Sequence, residues 1–322
     1  MRQVARRLQS LNKRVFNRVT RQEIRQALER LGLAPGDIVF AHVSMRSLGY
    51  VPGGPQEVVA AILDVLGEKG SLMMSAWPSP NAAPPSGMDL FDLVETPSSS
   101  GAVSEALRHH PASRRSLHPV ASVVVAGQGA ADLVAGHELS TRPFGPGSPY
   151  AKLASMGPRL LLIGAHIGGL LYHVQDKVEF PNLYARDHRE FDVRDEKGSY
   201  RKISTQVLRP EVPPVVILPG SRPENRDYVL IPDYALMFPP LREQEVLEAG
   251  YLRFNRSRFL GRRERLRGRS ILTMGQVGSA ESALLDGTRM LGQVEKDLEW
   301  DLARFKQEYD AEHLSLLSLP VF

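Results

Sequence analysis

Leu160-Leu161-Leu162-Ile163 is apolar at every position and stops at Gly164, where the glycine-rich segment Ala165-His166-Ile167-Gly168-Gly169 takes over. A run this short reads as a strand, and a strand without a polar face has to be covered on both sides. That requirement points to a sheet between helices and makes the C-terminal end of the strand the natural place for a site. The stretch that follows carries His173, Asp176 and Glu179. If the chain is helical from Tyr172, His173 and Asp176 lie one turn apart on one face, within side-chain reach. Such a pair can be a base with its orienting carboxylate. It can equally be a half-buried helix start with solvated charges, and spacing alone leaves both readings open.

Upstream, Thr20-Arg21-Gln22-Glu23 has the pattern of a capping box, in which hydroxyl and carboxylate each satisfy a free backbone N–H. Ile24, Leu28 and Leu31 follow at helical spacing, and Gly32 is placed to end the helix. Asp37 to Val43 reads as a strand and Ser44 to Gly54 as a loop. A helix then starts at Pro55 and buries Val58, Val59, Ile62, Val65 and Leu66. Ser71 to Trp77 is a second strand, so this β–loop–α–β order predicts parallel pairing with a right-handed crossover. A Pro- and Ser-rich loop spans 78–100, followed by a helix over Gly101–His109. A third strand is expected from Val120 to Ala126, a short helix from Gly127 through Leu133, and another between the turn Pro143–Tyr150 and Met156. From Phe191 to Leu218 the pattern alternates about a turn at Asp195–Gly198, as in an antiparallel hairpin. Leu284, Leu291, Val294, Leu298 and Leu302 mark helices near the end. The expected fold class is α/β (α+β): a mixed, largely parallel central sheet flanked by helices, with an antiparallel second half.

The 322 residues suffice for one large domain or two small ones, and 42% apolar with 24% charged residues is ordinary for a soluble protein. There is no cysteine, which excludes disulfides, thiolate nucleophiles and cysteine-bound zinc and fits a reducing cytoplasm. No apolar run approaches the roughly 20 residues of a membrane span. The first residues, MRQVARRLQSLNKRVFNRVT, have the arginines of a transit peptide but no apolar core of a secretory signal; a surface helix is the expectation. A net charge of +4 permits an anionic ligand without arguing for nucleic acid. The arginines between Arg253 and Arg269, with Phe254 and Phe259 among them, resemble a nucleic-acid-binding pattern, but Glu264 interrupts them. A solvated or partner-facing helix is the expected reading there.

Two more segments carry chemistry. Ser44 to Gly54 follows a strand with hydroxyl residues, Gly49 and Gly53-Gly54, so its backbone N–H groups suit a phosphate, and Arg46 can add a charge-assisted contact. A tight turn with an ordinary surface arginine explains the same residues, and neither a Walker A loop nor a dinucleotide fingerprint is present. Arg115-Ser116-Leu117-His118-Pro119 places a cation, a hydroxyl and an imidazole before a strand. His118 is there either as a ligand or proton carrier or as a structural hydrogen-bonder. The nine histidines show no metal-ligand spacing, so no metal is expected.

In order and spacing, GDIVFAHVSMRSLGYVPGG, FDLVETPSSSGAVSEALR, RRSLHPVASVVVAG, PFGPGSPYAKL, LLLIGA with LYHVQD, and VGSAESALL resemble the aminoglycoside 3-N-acetyltransferase family. The resemblance covers residues 20–290, with 1–19 left as a basic helical extension and 291–322 as a C-terminal helical extension. It implies an α/β fold distinct from the GNAT acetyltransferases. It also implies an enzyme that moves an acetyl or other acyl group from acetyl-CoA, or another acyl-CoA, to a primary amine of an aminoglycoside, amino sugar or related natural product. The acyl-CoA contacts it implies are His42, Ser44, Met45, Arg46, Ser47, Leu48, Gly49 and Val51 in the first loop, then Ser98, Gly101, Ser116 and His118. His173 falls on the family's general base, with Asp176 or Glu179 as its carboxylate partner. The family's HxxE is HxxD here, and Leu170 stands where a threonine is usual. Those departures motivate an alternative, a catalytically idle relative that binds CoA or acts as a scaffold. Beyond amine and acyl-CoA, no nucleic acid, membrane or metal partner is expected, the location is expected to be cytoplasmic, and a homo-oligomer is left open.

Overall fold

The computed structural model of the protein describes residues 17–78, 90–165, 169–179, 184–208, 215–217, 228–230 and 271–308. The arginine-rich stretch 253–269, the extension over 1–16 and the chain beyond 308 lie outside the described residues. Helix α1 (Arg21–Leu31) starts on the expected capping box: Thr20 accepts from the Glu23 N–H, and the Glu23 carboxylate accepts from the Thr20 N–H at 2.7 Å. Gly32, at φ 100°, ends it in the left-handed conformation that glycine adopts most readily. Strand β1 (Ile38–Val43) leads through a single helical turn, α2 (Met45–Leu48), to α3 (Pro55–Leu66) and β2 (Ser71–Ser75). Then come β3 (Leu90–Asp92), α4 (Ala102–Arg108), β4 (Ser113–Arg115), β5 (Val123–Gly127), α5 (Ala130–Val134), α6 (Pro149–Ser155), β6 (Arg159–Ile163) and α7 (Leu170–Lys177). Strands β7 (Tyr184–Arg194) and β8 (Tyr200–Leu208) form the expected hairpin, followed by β9 (Val215–Ile217) and β10 (Tyr228–Leu230). The chain closes with β11 (Leu272–Val277), β12 (Ala280–Asp286) and α8 (Gly287–Glu308).

The main sheet has the order β11-β12-β6-β1-β2-β5-β4. Its three central strands, β6, β1 and β2, are parallel, and the flanking pairs are antiparallel. Side chains alternate between two cores. Phe40, Met73, Val125, Leu160 and Leu162 point to the face covered by α5, α6, α7 and α8. Val39, Ala41, Leu72, Met74, Leu161 and Ile163 point to the face covered by α1, α3 and α4. Each fully buried aliphatic side chain of this kind contributes about 1.5–3 kcal/mol. The apolar run thus has the double cover it requires, and the loops after β6, β1 and β2 emerge together at one edge.

Some boundaries differ from those read in the sequence. The third main-sheet strand from the N-terminus, apart from the short β4, begins at Val123 rather than Val120, because the N–H groups of Val120 and Ala121 turn back onto Nδ1 of His118 at 3.2 Å. Gly127 ends that strand instead of opening the next helix. The long loop contains β3, which pairs parallel with β7 and is fixed by the Asp92–Arg194 ion pair at 3.1 Å. Leu284 is on a strand, paired with Thr273 and Leu161, and the terminal helix starts at Gly287, so position 290 falls inside it.

Gly169, immediately before α7, shows how tightly the site-bearing helix is seated. A Cβ there would fall 2.4 Å from Cε1 of Tyr150 and 3.0 Å from Cζ of Phe40. Gly169→Ala is therefore expected to destabilise the fold by about 1–3 kcal/mol through overpacking, read as a lower urea midpoint at an unchanged slope. An unchanged midpoint would show that α7 has slack at its start.

Candidate active site

Helix α7 follows the C-terminal end of β6 and carries His173 in its first two turns. The ring is half-buried, and Nδ1 lies 2.8 Å from the main-chain oxygen of Phe144. A carbonyl can only accept, so Nδ1 holds the ring proton and the lone pair is on Nε2. Asp176 does sit one turn on, but its buried carboxylate makes no hydrogen bond to His173. Oδ1 lies 3.5 Å from Nε of Arg142 and has no hydrogen bond. Oδ2 would be 3.2 Å from a Cβ at Gly145, so the absence of a side chain there lets the carboxylate tuck under the turn. Glu179 is exposed and has φ 52°, alone among described non-glycine residues in positive φ. Among the described residues neither Asp176 nor Glu179 bonds His173, and the group on its Nδ1 is a peptide carbonyl.

That carbonyl belongs to the turn Arg142–Gly145, closed by Gly145 N–H to Arg142 O at 3.1 Å. The turn is held from within by Ser116 and His118, which the sequence singled out, and by His137 and Thr205, which it did not. His137, fully buried, donates from Nε2 to Pro143 O at 3.0 Å and accepts on Nδ1 from Ser116 Oγ at 2.8 Å. His118 stacks on it at 4.2 Å between ring centroids. Its Nδ1 accepts two backbone N–H groups, so Nε2 carries the proton toward Thr205 Oγ1 at 3.3 Å, and Thr205 donates onward to Thr141 O at 3.0 Å. Ser116 and His118, expected to contact an acyl donor, are both buried here, and their side chains brace the turn. Burial is the main cause that drives both imidazoles toward the neutral form, His118 down to about 3 and His137 well below its ordinary value.

An aromatic group lies beside His173. Trp77 follows the end of β2 and is half-buried, 5.7 Å from Phe144 and 5.9 Å from Tyr172 between ring centroids. Its indole N–H donates to the hydroxyl of Tyr150 at 2.7 Å, at the base of the group, and desolvation pushes that phenol up. The segment 98–101 is fastened to this strand end: Ser99 N–H donates to Trp77 O, and Trp77 N–H to Ser100 Oγ at 3.1 Å. Ser98 is half-buried and hydrogen-bonded to Ser104, whereas Gly101 is exposed with open space around it.

The first loop leaves the end of β1. Ser44 N–H donates to Ile163 O, and Ser47 Oγ bonds Ser44 Oγ at 3.0 Å. Gly164 is packed against Ser47, where a Cβ would fall 2.3 Å from the serine Cβ. Ser44, Met45, Ser47 and Gly49 are half-buried, and Arg46 is exposed with no ion pair among the described residues. Leu48 and Val51 point into the core, and His42 packs edge-on against Phe40 at 4.9 Å. The structure therefore gathers His173, the 44–49 loop and the 98–101 segment at the C-terminal ends of three parallel strands, where ligands of open α/β sheets bind. Trp77, Phe144, Tyr150 and His137 were missed. Only the position of Trp77 at a strand end offered a signal.

A family model described as aminoglycoside 3-N-acetyltransferase matches residues 40–299. Among curated relatives, aminoglycoside N(3)-acetyltransferase VII of Streptomyces paromomycinus is 36% identical over 215 residues, which is 60% of this chain and 73% of the relative. The crystal structure of aminoglycoside acetyltransferase AAC(3)-Xa superposes with a TM-score of 0.63 at 28% identity, over 88% of this chain and 93% of that one. The binary complex of AAC-IIIb with CoASH shares the fold at 23% identity and a TM-score of 0.61, over 88% and 97% of the two chains.

Two outcomes follow from this geometry. Unfolded histidines take up a proton near pH 6.5, whereas folded His118 resists protonation down to about pH 3. Stability is thus fully present above pH 6.5 and falls below it, by up to about 1.4 kcal/mol per pH unit for each such histidine. Urea unfolding from pH 7 to pH 4.5 should show this slope, and His118→Asn, which keeps an acceptor near Nδ1, should be visibly less steep. A variant as steep as the parent would contradict the assignment. Separately, Glu179→Gly should relieve the left-handed backbone and raise stability by about 0.5–1 kcal/mol. A loss on thermal unfolding would instead mean that the Glu179 side chain contributes contacts.

Proposed function

Because the chain belongs to the aminoglycoside 3-N-acetyltransferase family, we propose that it is an acyl-CoA-dependent N-acyltransferase with His173 as general base. Its acceptor is a primary amine of an aminoglycoside, amino sugar or related natural product. The observation that carries the reading is the His173–Phe144 hydrogen bond, which leaves Nε2 as the basic atom at the strand-end edge. The first loop suits the acyl donor. Arg46 offers an exposed cation to phosphate, the Ser44 and Ser47 hydroxyls offer hydrogen bonds, and Gly101 leaves open space. Half-buried Trp77 and Tyr172 offer an aromatic face beside the base for the acceptor. The cysteine-free composition suits a reducing cytoplasm, and among the described residues no helix is long and apolar enough to cross a membrane.

The chemistry asked of these residues is modest. An amine reaches the site as ammonium and sheds one proton to solvent before it can act as a nucleophile. His173 Nε2 takes a second proton from the nitrogen as it bonds to the thioester carbonyl carbon. The carbon–sulfur bond then breaks, and the imidazolium returns that proton to the departing thiolate. The products are an amide and a free thiol, and His173 ends as it began. The Phe144 carbonyl holds Nδ1–H throughout, so the ring enters each cycle with its lone pair outward.

The test is free-thiol release from acetyl-CoA across a panel of aminoglycosides and amino sugars. His173→Ala should lower kcat by about 10²–10⁴-fold, with acetyl-CoA affinity by isothermal titration largely kept. Unchanged turnover in that variant, or no CoA binding by the parent protein, would sink the reading.

A further inference from the structure

Two imidazoles grip consecutive carbonyls of one turn. His137 Nε2 bonds Pro143 O at 3.0 Å from the buried side, and His173 Nδ1 bonds Phe144 O at 2.8 Å from the half-buried side. In the turn Arg142–Gly145, Pro143 and Phe144 are the two central residues, and the Pro143–Phe144 peptide is the one whose orientation distinguishes one turn type from another. Gly145 N–H, held on Arg142 O, belongs to the same peptide group as Phe144 O. Once the Pro143 carbonyl is fixed, the following carbonyl has little freedom left. Asp176 and Arg142 close the turn on the α7 side, 3.5 Å apart.

We propose that His137 is a positioning residue for the acyl transfer: by holding the Pro143 carbonyl it presents the Phe144 carbonyl to His173 and so selects the tautomer with Nε2 free. The inference rests on the reading of His173 as base. Ser116 makes the arrangement one-directional, because its hydroxyl accepts Val123 N–H and sends its proton to His137 Nδ1. That leaves His137 with its proton on Nε2, the atom facing Pro143. The groups in contact with His137 are neutral hydrogen-bonders and rings, namely Ser116, the stacked His118 and Tyr150 edge-on at 6.4 Å, while the Lys152 ammonium bears on it by disfavouring its protonated form. No carboxylate among the described residues bonds it, so it acts through geometry rather than charge.

The measurement is a long-range ¹H–¹⁵N correlation of histidine-labelled full-length protein at neutral pH, alongside steady-state kinetics with acetyl-CoA. The parent should show His173 protonated on Nδ1 and His137 on Nε2. His137→Leu should give a mixed His173 tautomer and a kcat lower by about 10–100-fold, with KM for acetyl-CoA within about 3-fold, since the donor loop is untouched. His137→Gln, which can place an amide N–H near the Nε2 position, should recover most of kcat and restore the tautomer. Ser116→Ala frees His137 to take the other tautomer and should move both readouts in the same direction by less, so it decides the matter if the leucine variant does not fold. A parent His173 protonated on Nε2 would overturn the proposal. So would a folded leucine or Ser116→Ala variant with unchanged tautomer and kcat, or a glutamine variant no better than leucine. Absence of any acyl transfer by the parent would sink the functional reading and leave the tautomer result standing. Transfer with the wrong tautomer would sink the positioning alone.

Discussion

Strands β6, β1 and β2 have no face that tolerates water, and most of the architecture follows from that. Phe40 and Leu160 need one layer of helices, Val39 and Leu161 need another, and both are supplied. With both faces closed, polar side chains can be presented only at strand ends. Three parallel strands bring their C-terminal ends to one edge, so three loops distant in sequence become neighbours there. The site is a by-product of covering the sheet, in the sense that no other edge of the central strands offers so many converging loops.

The same dryness governs the interior beneath the site. A buried imidazole loses hydration if it is charged, so His118 and His137 are held neutral and act as rigid donor–acceptor pieces. Every polar atom of the pair has a partner: backbone N–H groups, Ser116, Thr205 and the Pro143 carbonyl. A neutral, satisfied network of this kind specifies one arrangement, because moving any member leaves a buried group unpaired. The turn that meets His173 is therefore held from both sides, although it is rich in proline and glycine.

Much of the scaffold was legible in the sequence because its signals are local. The capping box at Thr20, the proline start at Pro55, the apolar run at Leu160 and the turn at Asp195–Gly198 each depend on residues a few positions apart. Strand direction was not local: β5 and β12 run antiparallel to their neighbours, and nothing within either segment says so. The strand start at Val123 was displaced by His118, a side chain that takes two backbone N–H groups away from the ladder. His118, for which the sequence leaves two roles open, is buried here as a structural hydrogen-bonder. In the candidate site, the sequence singles out His173 but not the group that its Nδ1 bonds.

The reason for that last failure is physical rather than statistical. Spacing along a helix brings His173 and Asp176 to one face, but it does not decide where either side chain points. Each turns to whatever the tertiary structure offers at the lowest desolvation cost. Asp176 finds the Arg142 guanidinium and the gap left by Gly145, and its short side chain reaches the turn rather than the ring. His173 finds a carbonyl 29 positions away in sequence. A peptide oxygen is present at every residue, so it leaves no mark in the amino-acid sequence when it becomes an orienting group. The carboxylate of the HxxD motif thus meets His173 only at one remove, through the Arg142 side of the turn whose main chain bonds the ring.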